Sequence, residues 1–403
     1  MFFSAIRFLF RKEFVFFLVF SGYFFACDPD PILVPDEQPG QDDTLSGESL
    51  PVDSLPVDGL PIDSLPVDST TIDSLPGEPP PNDSLPVQPV DPQPDTTLLG
   101  NRTPVEVYGQ LSVSGNKIVN QHGNSVQLRG MSFFWSQWIG KYYNYDCVKW
   151  LRDDWRCTVV RAAMAVESGG YLTNPDQELA KVKAVVDAAI DLGLYVIIDW
   201  HDHHAESHRT RAVEFFTEMA RLYGNYPNVI YETFNEPLDV SWKNVLKPYH
   251  EAVIAGIRQY DPDNIVICGT RNWSQQVSEA AQNPLSDPNV AYALHYYAST
   301  HKQWLRNTAK VALDKGAALF VSEYGTTESS GTGYIDVNEA HTWWDFLDEH
   351  QVSWCNWSVA DKNENSAALL SGASSKGGWT ENRITTSGKL VRDELRLKNP
   401  SAE

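Results

Sequence analysis

Cysteine is scarce in this sequence, and the charge that nucleic-acid binding needs is missing. The 403 residues include five cysteines, and no two of them are spaced as Cys-x-x-Cys. A count this low excludes a disulfide-stapled scaffold, and the spacing provides no zinc or redox motif. The net charge is −22 at pH 7, whereas a protein that binds a polyanion presents a basic face. We therefore expect no nucleic-acid partner.

Basic residues are missing altogether from residues 28–100. This segment contains sixteen Asp and Glu and sixteen of the 25 prolines of the chain, and it repeats a five-residue unit of the type Leu50-Pro51-Val52-Asp53-Ser54. Regularly spaced prolines remove backbone donors, and unneutralised carboxylates repel one another, so no compact core can form. The composition predicts a disordered, acidic, proline-rich linker that spans residues 28–100.

Long apolar runs are also missing, because no stretch after residue 27 reaches the roughly 18 apolar residues of a membrane-spanning helix. Residues 1–27 place three basic side chains before a short apolar run, which is typical of a signal peptide. The run ends at Cys27 and is similar to a bacterial lipobox, except that Phe24 stands where Leu is usual. We expect an outer-membrane or cell-surface lipoprotein attached through Cys27, or alternatively a secreted protein, with membrane contact only through that lipid.

From about residue 108, short apolar segments alternate with amphipathic helical patterns. The predicted strands are residues 126–131, 158–164, 195–201, 229–236, 265–270, 290–297, 318–324 and 352–359. The predicted helices include residues 176–192, 213–223, 242–260, 302–315, 337–349 and 389–397. Eight strand-helix units predict an α/β fold, a single (β/α)8 TIM barrel within residues 101–403. A doubly wound open sheet is the alternative, but no glycine-rich phosphate loop follows the first strand.

Polar side chains follow these strands at the end where barrels of this type have their active sites. The second strand carries Arg161, and the motifs at the ends of later strands are Asp199-Trp200-His201, Phe234-Asn235-Glu236-Pro237, His295-Tyr296-Tyr297, Ser322-Glu323-Tyr324-Gly325 and Trp357. Two carboxyls such as Glu236 and Glu323 can cleave a glycosidic bond, one as acid and the other as nucleophile or base. Arg161 is expected to keep one of them ionised, while burial and the neighbouring charge raise the pKa of the other.

Together with two motifs near the first strand, these segments resemble the cellulase branch of glycoside hydrolase family 5. The resemblance covers about residues 108–397 and also includes Leu128-Arg129-Gly130-Met131, Gln137-Trp138, Val160-Arg161 and Asn356-Trp357-Ser358. It implies an endo-acting and retaining β-1,4-glucanase that hydrolyses β-glucan polysaccharides by double displacement. Separately, we expect the protein to be a monomer. A retaining β-mannanase or another β-glycanase on the same barrel is the alternative.

The resemblance also implies residue roles, with Glu236 as the acid/base and Glu323 as the nucleophile, ionised while Glu236 is protonated. The other roles are Asn235 for the 2-hydroxyl, Arg161 and Tyr297 for holding the nucleophile, His201 and His295 for lining the reacting subsite, and Trp357 for the stacking floor. Lys362 and Glu364 match positions that bind a distant sugar in relatives, or else form a solvated pair. One departure is Phe134, which stands where some relatives have His.

The thirteen tryptophans fall into two groups by their predicted position. Trp138, Trp273 and Trp357 follow strands at the barrel mouth, and the apolar C–H face of a sugar stacks on indole. We therefore predict these three as sugar platforms. Four others belong to helical patterns and are predicted to pack in the interior: Trp150, Trp155, Trp343 and Trp344.

A group of four histidines after the third strand leaves a metal-dependent hydrolase open as an alternative: His201, His203, His204 and His208. Spacing alone does not exclude metal binding, but no carboxylate-rich motif in the first strand completes a site, so we expect neither a metal nor another cofactor. A non-catalytic sugar-binding barrel should have lost one of the two glutamates, and both are present. Free buried thiols are expected after Cys27, although a bridge between Cys147 and Cys157 remains open.

Overall fold

The computed structural model describes residues 102–399, so the predicted signal peptide with Cys27 and the predicted linker lie outside the described residues. The strands are β1 (Ser112–Ser114), β2 (Lys117–Val119), β3 (Arg129–Phe133), β4 (Val159–Ala165), β5 (Tyr195–His201), β6 (Val229–Glu232), β7 (Val266–Cys268), β8 (Val290–Tyr297), β9 (Leu319–Gly325) and β10 (Ser353–Val359). Strands β3 to β10 form a closed barrel in chain order, in which every neighbouring pair is parallel and β10 lies beside β3. The predicted eight-stranded barrel is confirmed.

Eleven α-helices lie within residues 102–399, and all except α1 follow a barrel strand. They are α1 (Pro104–Tyr108), α2 (Ser136–Ile139), α3 (Tyr145–Asp153), α4 (Pro175–Leu192), α5 (Arg209–Tyr223), α6 (Lys247–Ile257), α7 (Arg271–Ser274), α8 (Val277–Gln282), α9 (Gln303–Asp314), α10 (Val337–His350) and α11 (Thr386–Lys398). The six helices predicted from periodicity are all present. The predicted helix 242–260 differs most, because it begins with a π-helical turn at Trp242–Leu246 and ends at Ile257.

Side chains of β4 alternate between the outside and the interior of the barrel, and this alternation brings a charged residue into the interior near the carboxyl ends of the strands. Val160, Ala162 and Met164 pack with the surrounding helices, so the other residues of the strand face the barrel interior. Val159 belongs to an apolar cluster at the amino ends of the strands, and Ala163 packs with the aromatic side chains at the mouth. Arg161 lies between these two apolar layers and is completely buried.

Two elements that the sequence analysis did not predict close the amino-terminal end of the barrel. Helix α1 and the antiparallel hairpin β1–β2 contribute Val107 and Ile118 to the apolar cluster that includes Val159, Tyr195 and Ile197. Because this cluster closes the amino end, the polar interior is accessible only from the carboxyl ends of the strands.

Two predicted strands differ most from the structure at their ends. The first barrel strand begins at Arg129 rather than at residue 126, because the Val126 amide bonds to Ile118 of the hairpin. The fourth ends at Glu232, four residues before Glu236. The amides of Asn235 and Glu236 instead bond to the carbonyls of Trp200 and Asp202, so the backbone continues alongside β5 to the barrel mouth.

Other predictions about packing are confirmed within residues 102–399. The four cysteines of this range are buried free thiols, so Cys147 and Cys157 are not bridged. Trp155, Trp343 and Trp344 are fully buried, and Trp150 packs half-buried against the same core. None of the helices in this part of the chain combines the length and hydropathy that crossing a membrane requires.

Candidate active site

The carboxyl ends of the barrel strands surround a cleft of about 190 Å³. Most predicted site residues line it, namely Trp138, His201, Asn235, Glu236, Tyr297, Glu323, Trp357, Lys362 and Glu364. Two others, Arg161 and His295, are buried beneath the lining and contact the two catalytic candidates from below. Trp273 lies on the rim, where its amide bonds to the carbonyl of Pro237 and about half of its surface is exposed.

Glu236 and Glu323 face each other across this cleft. A carboxylate oxygen of each lies within 4.8 Å of the other and of a ring nitrogen of His295. Glu323 is 4% exposed and Glu236 is half-buried. The sequence prediction that two carboxyls from different strands meet at the mouth is therefore confirmed.

Arg161 supports the Glu323 side of this pair. Its Nη1 donates to Glu323 Oε2 at 3.1 Å, and its Nη2 donates to Asn235 Oδ1 at 2.7 Å. The guanidinium also contacts Glu232 Oε2 at 2.7 Å and Asp199 Oδ2 at 2.9 Å. One cation is therefore shared among three buried carboxylates, although the sequence analysis assigned it to one.

Hydrogen bonds also orient each catalytic candidate from its other side. Tyr297 donates its hydroxyl to Glu323 Oε1 at 2.9 Å. His295 Nδ1 lies 3.1 Å from Glu236 Oε1, and its Nε2 lies 2.9 Å from Ser322 Oγ. His203 contacts the backbone carbonyl of Glu236 at 3.2 Å. Both carboxyls are thus held in fixed orientations by buried side chains.

The pKa shifts in the free protein are opposite to the predicted order. Burial alone would raise the pKa of Glu236, but the hydrogen bond and charge of His295 outweigh it and hold that pKa below its usual value. Burial and the charge of Glu236 raise the pKa of Glu323. Arg161 does not reverse this order, because Asp199 and Glu232 share its charge.

His295 carries the proton that Glu236 lacks. Burial lowers the pKa of its imidazole, but the neighbouring carboxylates of Glu232, Glu236 and Glu323 raise it to about 9. The positive ring therefore faces an ionised Glu236 in the free protein at neutral pH. The proton needed for acid catalysis is held one hydrogen bond away from the group that must deliver it.

Aromatic rings shape the floor of the cleft beside Glu323. The ring of His201 stacks on Trp357 at 5.1 Å between centroids, with 8° between the planes. Trp135 meets His201 edge-on at 4.1 Å and lies 5.2 Å from Trp138, which is 60% exposed. An exposed indole face such as that of Trp138 fits the C–H face of a sugar ring. Trp135 also lines the cleft, and the sequence analysis missed it.

The loop after β10 supplies the far end of the cleft. Lys362 Nζ lies 2.6 Å from Glu364 Oε2 and 5.1 Å from the centroid of Phe134. Glu364 is almost completely buried in this contact, whereas half of the Lys362 side chain is exposed. The two residues therefore form a partly exposed ion pair in the cleft wall, and their binding of a distant sugar stays a prediction.

The four histidines of the metal-dependent alternative contact different partners. His201 bonds to Asp199, and His203 bonds to the Glu236 carbonyl. His204 and His208 both bond to Glu167. Within the described residues, two groups of His and carboxylate atoms come within 4.8 Å of one another: Glu167, Asp202 and His204 at the rim, and Glu236, His295 and Glu323 in the cleft. Neither group unites the histidines that suggested this alternative.

Removing Arg161 tests its structural role. The Arg161→Met variant should lose about 3–5 kcal/mol of unfolding free energy near pH 7, because three buried carboxylates lose their cation. The loss should shrink toward pH 4, where carboxyls with raised folded-state pKa values, such as Asp199 and Glu323, take up protons in the folded state. Urea denaturation at both pH values measures this.

The control for that measurement is Arg211→Met, which removes an exposed ion pair with Glu214. It should change the unfolding free energy by less than about 1 kcal/mol at either pH. Equal losses in the two variants would contradict the assignment of Arg161 as the shared cation.

Comparison with known proteins places this site in a family. The family model described as cellulase (glycosyl hydrolase family 5) matches residues 119–363. Endoglucanase A of Evansella cellulosilytica is 54% identical over 279 residues, which cover 68% of this chain and 57% of that protein. The chain thus spans less than two thirds of the length of this relative.

Solved structures match the described barrel over almost their whole length. A structure from Cytophaga hutchinsonii has a TM-score of 0.74 and 59% identity, and the match covers 74% of this chain and 98% of that one. The catalytic domain of the Thermobifida fusca endoglucanase Cel5A has a TM-score of 0.70 and 36% identity, with 73% and 99% covered. A variant of the same domain, 35% identical to this chain, is known in complex with cellotetraose.

Proposed function

This chain belongs to the cellulase family, glycosyl hydrolase family 5, and on that basis we propose that it hydrolyses internal β-1,4-glucosidic bonds of cellulose-type glucans with retention of configuration. Endoglucanase names among its relatives support this substrate. The proposed active form is a monomer.

The observation that carries this proposal is the spacing of the two carboxyls. Oxygens of Glu236 and Glu323 lie within 4.8 Å of each other. Retaining glycosidases separate their carboxyls by about 5–5.5 Å, whereas inverting ones need about 6.5–9.5 Å to admit a water between sugar and base. The short spacing supports direct attack by one carboxylate on the anomeric carbon.

In the first step, Glu323 attacks the anomeric carbon and Glu236 protonates the departing glycosidic oxygen. Arg161 and Tyr297 each donate to a different oxygen of Glu323, so the attacking oxygen is held while its charge disperses. Asn235 accepts from Arg161 through Oδ1, which leaves its Nδ2 group free to donate to the 2-hydroxyl. The products are a covalent glycosyl-enzyme and a shortened glucan.

In the second step, Glu236 removes a proton from a water molecule that attacks the same carbon. The bond to Glu323 breaks, and the second inversion restores the β configuration. Trp357 supplies the apolar floor for the reacting sugar, and Trp138 extends it toward Lys362 and Glu364.

Product analysis tests the proposal directly. Proton NMR of early hydrolysis of cellopentaose should show the β-anomer before mutarotation, because two inversions retain configuration. On a panel of β-1,4-glucan, β-mannan, xylan and mixed-linkage glucan, reducing ends should appear fastest on a β-1,4-glucan substrate. Viscosity of soluble cellulose should fall early, as internal cleavage requires. An α-anomer first would assign Glu323 as a base, and faster mannan cleavage would favour a mannanase.

We also propose, from residues 1–27 alone, export and attachment through a lipid on Cys27. The wild-type protein should partition into detergent and incorporate labelled palmitate, and Cys27→Ser should abolish both. Turnover of soluble cellopentaose should be equal in the two proteins, because the cleft is built within residues 134–366. Detergent partition unchanged by Cys27→Ser would contradict the lipid anchor.

A further inference from the structure

Glu232 is a buried carboxylate that the mechanism above does not use. It is the last residue of β6, is 0% exposed, and does not line the cleft. Burying an ionised carboxylate is costly unless its partners compensate for the lost water. Burial alone would raise the pKa of Glu232, but the charge of Arg161 and the nearby His295 keep it lowered. Any effect of Glu232 on the reaction must therefore be exerted through the residues that it contacts.

The two carboxylate oxygens of Glu232 contact different residues, one set next to Glu323 and the other next to Glu236. Oε2 accepts from Arg161 Nε at 2.7 Å, and Arg161 supports Glu323. Oε1 accepts from Ser322 Oγ at 2.5 Å and lies 3.6 Å from His295 Nε2. His295 in turn contacts Glu236. One carboxylate thus connects the group behind the nucleophile with the group behind the acid/base.

The direction of these hydrogen bonds determines where His295 keeps its proton. A carboxylate only accepts, so the Ser322 hydroxyl hydrogen points to Glu232. The Ser322 oxygen is then an acceptor for His295 Nε2 at 2.9 Å, and Nε2 must carry a hydrogen. Nδ1, 3.1 Å from Glu236 Oε1, is left as the ring atom that can gain or lose a proton.

We propose that Glu232 is a positioning residue that, through Ser322, fixes the hydrogen of His295 on Nε2 and so makes Nδ1 the proton partner of Glu236. This inference rests on the proposed glycosidase function. In the free protein the proton is on Nδ1 and Glu236 is ionised. For acid catalysis the Nδ1–H bond breaks and an O–H bond forms on Glu236, which leaves neutral His295 and a protonated acid. When Glu236 later takes a proton from water, it can return that proton to Nδ1.

Other charged groups surround this network, and they set the sign of the expected pH effect. Those that face Glu232 or His295 are Arg161 on β4, Asp199 and His201 on β5, Glu236 after β6, the Cys268 thiol on β7, Glu323 on β9 and the Cys355 thiol on β10. Arg161 is the fixed cation among them. Removing the negative charge of Glu232 therefore weakens proton binding at His295 and leaves more of the Arg161 charge for Glu323.

The test is Glu232→Gln, which preserves shape but reverses one hydrogen bond. The amide oxygen must face Arg161 Nε, because two donors cannot bond to each other, so the amide NH₂ faces Ser322. The Ser322 hydroxyl hydrogen, no longer accepted by residue 232, then points to His295 Nε2, and the hydrogen of the neutral ring moves to Nδ1. Above pH 9, where the ring is neutral, nitrogen-15 NMR of labelled protein should show the Nε2–H tautomer in wild type and the Nδ1–H tautomer in Glu232→Gln.

Kinetics should separate proton donation from a general loss of structure. For cellopentaose, kcat of Glu232→Gln should fall roughly 10²-fold, with KM changed less than about threefold, because protonation of the leaving oxygen is impaired. For dinitrophenyl β-cellobioside, whose leaving group departs without a proton, the rate of nucleophile attack should stay near wild type. Both limbs of the pH profile of kcat/KM should move to lower pH.

Two further variants complete the design. Ser322→Ala removes the hydroxyl that connects Glu232 to His295. It should also lower kcat on cellopentaose selectively, but less than Glu232→Gln does, because Glu232 remains and its Oε1 is only 3.6 Å from His295 Nε2. Glu394→Gln makes the same change at a buried carboxyl of α11, outside the cleft, and should leave both substrates and the pH profile unchanged.

Equal losses of activity on the two substrates in Glu232→Gln would overturn the proposal. So would a kcat/KM profile whose basic limb does not shift in that variant. A wild-type His295 without a hydrogen on Nε2 would overturn it as well. The NMR readout does not depend on turnover. If the wild-type protein cleaved no β-1,4-glucan but showed the Nε2–H form, the proposed function would fail while the hydrogen-bond assignment stood.

Discussion

Glycine in place of Glu323 is expected to lower kcat/KM on cellopentaose roughly 10⁴-fold or more, because the attacking carboxylate is lost. The fold should persist, since Arg161 keeps Asp199 at 2.9 Å and Glu232 at 2.7 Å. The missing side chain leaves space on the α side of the anomeric carbon. Azide should enter that space and convert dinitrophenyl β-cellobioside to the α-glycosyl azide, which NMR identifies.

The matched control is Glu323→Gln, which loses the charge but fills the same space. It should be as inactive on cellopentaose as Glu323→Gly, and azide should not restore it. Formation of a β-glycosyl azide by Glu323→Gly, or rescue of both variants alike, would show that Glu323 is not the group that attacks the anomeric carbon.

The barrel could be predicted because its strands carry an unusually direct signal. Segments such as Val159–Ala165 and Tyr195–His201 are buried on both faces, and β-branched and apolar residues occupy nearly all of their positions. Alternation with long amphipathic helices then specifies parallel connections. Helix α1 and the β1–β2 hairpin gave no such signal, because elements of three to five residues contain less than two periods of any pattern.

The catalytic pair could also be predicted, because Glu236 and Glu323 each lie at or beyond the carboxyl end of an apolar strand, on the same end of the barrel. Glu232 was missed although it offered a comparable signal. It is a charged residue inside an apolar strand, as Arg161 is two strands earlier, and both face the barrel interior. A search for opposite charges on interior positions of different strands would have paired them.

The order of the pKa values could not be predicted from sequence, because it depends on distances between side chains far apart in the chain. Arg161 lies within 3.1 Å of carboxylates on three different elements, Asp199, Glu232 and Glu323. Its effect on any one of them is set by how the other two compete. The proton on His295 likewise follows from contacts between β6, β8 and β9 that motif spacing does not contain.

Alanine at position 236 should separate the acid/base role from the nucleophilic one. Glu236→Ala should lower kcat on cellopentaose by roughly 10²–10⁴-fold, because the leaving oxygen receives no proton. Dinitrophenyl β-cellobioside should still form the glycosyl-enzyme, because Glu323 keeps its contacts with Arg161 and Tyr297.

Azide then distinguishes the two glutamates by the face from which it attacks. In Glu236→Ala it should open the glycosyl-enzyme from the β side and give the β-glycosyl azide, the opposite anomer to that from Glu323→Gly. Glu232→Gln retains the Glu236 carboxylate, which repels an anion from that side, so azide should not accelerate its turnover. An α-azide from Glu236→Ala would mean that the carboxylate forming the covalent bond is on the other face, and the roles of Glu236 and Glu323 would have to be exchanged.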